Sequence, residues 1–163
     1  CRLCRAHTGG TVLVLRDYHV DNLISLDRPG IRGCGLLDFQ DALVGHPAYD
    51  LVSLLQDARR DVAPELEAEM FDYYVRQTGA GADFLADYAR LGAQRNAKIV
   101  GIFVRLWKRD GKPRYPLMIP RVWGAMERDL AHPALAPVAA WFDANIPAEL
   151  RDPARTLGGE FAL

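Results

Sequence analysis

Asp17 and Asn22 stand five residues apart in a polar stretch, and Asp38 follows an apolar run further along. Two carboxylates and an amide oxygen can divide one task. One carboxylate accepts or orients the proton of an attacking hydroxyl. The other, with the amide oxygen, offers hard ligands to Mg²⁺. That division suits phosphoryl transfer, where catalysis is mainly positioning and charge stabilisation. The plainer reading is a pair of turn residues, since Asp and Asn favour turns through local hydrogen bonds.

For these groups to converge, the chain must fold back between them. Residues 11–15, TVLVL, read as a strand. Residues 16–22 read as a loop. LISL at 23–26 and CGLLDF at 34–39 flank a turn-rich DRPGIRG and predict a β-hairpin whose second strand ends in Asp38-Phe39. The apolar neighbours Leu36, Leu37 and Phe39 predict that this strand is buried. Residues 40–50 read as irregular.

From about Tyr49 the pattern turns helical, with Leu51, Leu54 and Leu55 on one face. Pro64 suits a first helical turn, and that helix runs to Gly79. The longest helix is predicted at about 82–109, interrupted by Gln94-Arg95-Asn96 and ended by Asp110-Gly111-Lys112-Pro113. Shorter helices follow at about 118–131 and 133–144. His46 and His132 each precede a proline and read as loop residues. Trp107, Trp123 and Trp141 read as core.

The chain has 163 residues, 20 basic and 21 acidic, for a formal charge of −1. This balance disfavours nucleic-acid binding and a polybasic membrane segment. No apolar run approaches the roughly 20 residues of a spanning helix. Three cysteines fit a reducing compartment better than a disulfide scaffold, and Cys1 and Cys4 lack the partners of a zinc site.

LRDYHVDN at 15–22 resembles the catalytic loop of the protein-kinase-like fold, in the form used by aminoglycoside phosphotransferase-type small-molecule kinases. LLDFQDALVGHPAYDLVSLLQDAR at 36–59 resembles the metal-binding segment and following helix of that superfamily. With LGAQRNAKIVGIF and DGKPRYP, these segments are most similar to the cell-wall sugar kinases acting on the anomeric hydroxyl of N-acetylmuramate and N-acetylglucosamine. The likeness covers about residues 12–143.

The resemblance implies an α+β, mostly helical C-terminal lobe using ATP and Mg²⁺ in a bacterial cytoplasm. It implies Asp17 as catalytic base and Asn22 and Asp38 as Mg²⁺ ligands. Arg16, His19 and Asp50 are supporting residues, with His19 shaping the loop or contacting substrate and Asp50 bracing the catalytic loop or capping its own helix. Gln40, Asp41, Gln94, Arg95 and Asn96 are candidate substrate contacts. Leu15 and Gln40 replace the His and Gly of the protein-kinase triplets, which favours a small-molecule acceptor.

A complete kinase also needs a Gly-rich loop and an upstream lysine. The lysines here are Lys98, Lys108 and Lys112, all after the metal segment. Residues 1–10 are therefore expected to be a remnant of a preceding lobe or linker, 11–145 the kinase-like lobe, and 146–163 a loose tail. An isolated lobe is expected to turn over poorly. The alternatives are an aminoglycoside, choline or homoserine type of acceptor, or a non-catalytic kinase-like binding module.

Overall fold

The structure is a computed structural model that describes residues 10–151. Cys1 and Cys4 fall outside this span, as does the tail beyond Arg151. The fold is mostly helical with two small antiparallel sheets. The described residues fall into two compact units, residues 10–57 with 62–88 and residues 58–61 with 89–151.

The first unit holds all the strands among the described residues. β1 (Val12–Val14) pairs with β4 (Leu43–Gly45), and β2 (Leu23–Ser25) pairs with β3 (Cys34–Leu36). The predicted hairpin is present, with a 3₁₀ turn at Gly30–Gly33 in its connection. Residues 40–50 are not wholly irregular, because Leu43-Val44-Gly45 completes the ladder with β1. Three residues are too few for an alternation to show, and the pairing is long-range.

The predicted second strand stops early. It ends at Leu36, and Asp38 has φ 55°, which cannot continue a ladder. Nor is this segment buried. Leu37 is 50% exposed and Phe39 60%. The apolar run lacks a covering layer among the described residues.

α1 (Ala48–Leu55) buries Ala48, Val52, Ser53 and Leu55, whereas Leu51 and Leu54 are only half-buried. The apolar face is therefore rotated by one residue from the expected one. α2 (Pro64–Thr78) starts on its proline and ends at Gly79, whose φ of 66° terminates the helix in the left-handed region. Glu67, Met70, Phe71, Tyr74 and Val75 form its half-buried stripe. Phe71, Tyr74, Tyr88 and His46 gather round Phe84, or stand next to a ring that does.

α3 (Phe84–Lys108) begins in the first unit and continues in the second. There it packs with α4 (Ile119–Leu130) through Ala89, Ala93, Met126 and Leu130, against which Val138, Ala139 and Phe142 of α5 (Ala136–Asn145) rest, and separately through Phe103, Ile119 and Val122. Gly92 permits a close approach: a Cβ there would clash with the carboxylate of Asp129. Trp141 is 56% exposed rather than core, resting edge-on against Phe142. Residues 146–151, expected to be loose, are tied down. Ile146 N donates to Phe142 O at 2.8 Å, and Arg151 reaches Asp143 Oδ1 at 2.7 Å.

Candidate functional site

The loop after β1 opens with a tight reversal. Asp17 N donates to Leu15 O at 2.9 Å, closing a three-residue turn centred on Arg16, whose φ is 72°. A γ-turn of this hand is rare and strained, costing on the order of 1–3 kcal/mol. It persists because α1 over-determines it. The Leu15 and Arg16 amides donate to the two carboxylate oxygens of Asp50 at 2.7 and 3.0 Å. Ser53, one turn along the same helix, donates from Oγ to Arg16 O at 3.4 Å. Hydrogen bonds to a charged group contribute about 1.5–3 kcal/mol each, so the Asp50 clamp outweighs the strain. Asp50 thus caps a foreign loop and not its own helix.

The rest of the loop is organised by Asn22. Its Nδ2 donates to Asp17 O at 2.9 Å and lies 3.3 Å from His19 Nε2. A carbonyl can only accept, so the Asp17 contact settles which end of the amide is nitrogen. The amide oxygen of Asn22 is left to face elsewhere. His19 is buried beneath this loop, while the Asp17 side chain is exposed. Burial, then nearby Cys34 and Asp50, push the Tyr18 phenol up from its ordinary range, so it stays neutral.

Asp38 comes beside this loop through the hairpin. Leu37 N donates to Asn22 O at 2.9 Å, which seats the Asp38 backbone one residue from Asn22's partner. Gln40 Nε2 donates to Asp38 Oδ1. The Asp41 carbonyl accepts from Arg16 Nη1 at 3.5 Å. Asp17, Asn22 and Asp38 therefore belong to two adjoining turns. Among the described residues no three His, Cys, Asp or Glu side chains group as a metal site. An amide oxygen at Asn22 and a carboxylate at Asp38 are hard oxygen donors of the kind that suits Mg²⁺.

Gln94, Arg95 and Asn96 lie in the second unit. Gln94 is exposed, whereas Arg95 and Asn96 are buried and Asn96 Nδ2 donates to Asp129 Oδ2 at 3.2 Å. Asn96 thus meets a structural need that its place in an apolar helix already signals.

Ser53 and the His46–Asp87 pair escape the sequence reading. His46 is buried, and its Nδ1 accepts from Ala48 N at 3.2 Å. His132 makes the same turn, with Nδ1 accepting from Ala134 N at 3.1 Å. The repeated His-Pro-Ala is the signal that could have found this. A cavity of about 460 Å³ adjoins His46, lined also by Thr11, Tyr74, Asp83 and Phe84. It opens at the Val12–Gly45 end of the β1–β4 ladder, whereas Asp17 follows the Val14 end.

A model of the phosphotransferase enzyme family matches residues 2–93. The chain belongs to this family. It is 49% identical over 150 residues to an N-acetylmuramate/N-acetylglucosamine kinase of Caulobacter vibrioides, covering 90% of this chain and 41% of that protein. The kinase of the same name from Neisseria meningitidis serogroup B is 39% identical over 139 residues, 79% of this chain and 40% of its own. That of Pseudomonas aeruginosa is 40% identical over 135 residues, 77% and 38%. The chain spans about two fifths of the length of these relatives. No helix among the described residues is long and apolar enough to cross a membrane.

Proposed function

We propose that this chain is the C-terminal catalytic lobe of an ATP-dependent kinase for the anomeric hydroxyl of N-acetylmuramate or N-acetylglucosamine. The observation that carries the reading is the Asp50 clamp on the strained turn at Arg16, which fixes the loop bearing Asp17 beside Asn22 and the Asp38 segment. The names of the relatives support the choice of sugar.

In this reading Asp17 orients the C1 hydroxyl and takes its proton as the oxygen bonds to the γ-phosphorus. The bond from that phosphorus to the β–γ bridging oxygen breaks, and ADP leaves with the electron pair. General-base help of this kind is worth about 10²–10⁴-fold. Asn22 and Asp38 would hold Mg²⁺, which neutralises charge on the phosphates when bound. His19 packs under the loop and supports its shape, with Arg16 tying the loop to Asp41. Gln40 orients the Asp38 carboxylate. Use of ATP and of recycled cell-wall sugars would suit a cytoplasmic setting.

The exposed apolar side chains of Leu13, Ile24, Leu37, Phe39 and Val44 suit a surface that another lobe of the same polypeptide covers. That lobe would supply the Gly-rich loop and the lysine, so this chain alone should turn over poorly.

The test is a full-length enzyme assayed with ATP and a panel of N-acetylmuramate, N-acetylglucosamine, an aminoglycoside, choline and homoserine, read by phosphorus NMR. A sugar 1-phosphate is expected from the two amino sugars, and Asp17→Asn should lower kcat by about 10²–10⁴-fold with sugar KM little changed. Product only from another acceptor, or undiminished turnover by Asp17→Asn, would overturn the reading.

A further inference from the structure

Asp50 can hold the loop only if α1 itself is anchored, and α1 is a helix of 8 residues with no side-chain cap from its N-cap residue Pro47. The anchoring contact comes from the residue before it. His46 Nδ1 accepts the Ala48 amide at 3.2 Å, and the His46 carbonyl accepts Tyr49 N at 3.0 Å. The first turn, which carries Asp50, is thereby tied to one imidazole.

For Nδ1 to accept, the proton of a neutral ring must sit on Nε2. The structure provides a reason for that tautomer. The carboxylate of Asp87, on the first turn of α3, faces His46 Nε2 at 3.4 Å, and both side chains are buried. A carboxylate on that side favours the proton there. Ring orientation is set as well, since His46 stacks on Phe84 at 5.7 Å between centroids.

We infer that His46 and Asp87 are positioning residues for the phosphoryl-transfer loop. They act through α1: Asp87 selects the His46 tautomer, His46 holds the first turn of α1, and Asp50 on that turn holds Leu15 and Arg16 ahead of Asp17. This inference rests on the function proposed above. In this role both act on the loop through α1, tuning how often Asp17 is correctly placed and leaving ground-state binding alone.

The test uses the full-length enzyme and two readouts. The first is the split between kcat and KM. The second, independent of activity, is hydrogen exchange at the Leu15 and Arg16 amides, which opens only when the Asp50 bonds open. His46→Ala should lower kcat per folded molecule about fivefold, the factor expected for a lost cap, with both KM values within about twofold. Exchange at Leu15 and Arg16 should quicken by a similar factor. His46→Asn, whose Oδ1 can accept the Ala48 amide, should restore both to within about twofold. Should His46→Ala not fold, His46→Gln keeps the bulk and a donor toward Asp87 while lacking the near acceptor, and the same loss is expected. Unchanged kcat and exchange in His46→Ala or His46→Gln, or a His46→Asn as impaired as alanine, would overturn the inference. A wild-type enzyme inactive on amino sugars would sink the function reading instead, while the exchange rates would still decide the positioning claim.

Discussion

The loop at 15–22 and the segment at 36–41 carry the two halves of the proposed chemistry, and they are held in opposite ways. The first is clamped by buried and half-buried groups of α1, on a backbone turn it could not keep alone. The second lies exposed, tied by Leu37 N to Asn22 O, by Ala42 N to Phe39 O, and by Gln40 to Asp38. The contrast teaches that this chain pre-organises the loop carrying Asp17, the proposed base, from its own residues. The segment proposed to bind metal is held only by a few exposed hydrogen bonds.

The comparison breaks most visibly at Asp50. Asp50→Ala removes both acceptors from the Leu15 and Arg16 amides and leaves the strain at Arg16 opposed only by the Ser53 contact. In the full-length enzyme we expect kcat to fall by about 10–100-fold, with a lowered melting temperature, because two charge-assisted hydrogen bonds are lost. Steady-state kinetics and calorimetry on the same preparation check this. A stable protein with wild-type kcat would mean that the turn is held by something other than Asp50.

Gln40 is the matching site on the exposed segment, and there the expected effect is smallest. Its amide contacts Asp38 in solvent, where such pairs contribute little. Gln40→Ala should leave melting temperature unchanged and alter kcat by about twofold or less. A loss approaching that of Asp50→Ala would show that the metal segment is as pre-organised as the loop.

Much of this contrast was legible in the residues. Asp17, Asn22 and a hairpin with Pro29-Gly30 at its turn signal local geometry, and local geometry is what single-chain patterns report best. The long-range terms were not. Leu36, Leu37 and Phe39 look like a buried strand because an apolar run does not say which part of the polypeptide will cover it. His46 looks like a loop residue because His-Pro describes its own backbone and nothing of Asp87, which arrives from a helix 41 residues later. β4 is too short to announce itself, and Ser53 is one serine among apolar neighbours until its Oγ is seen reaching Arg16.

The central claim is that the two segments meet around one divalent cation. It is tested most directly by adding Mn²⁺ with ATP to the isotope-labelled full-length enzyme and mapping paramagnetic broadening of the amide signals. The account predicts strongest broadening at Asn22, Leu37 and Asp38, lost in Asp38→Asn. Broadening centred elsewhere, or unchanged in that variant, would contradict it.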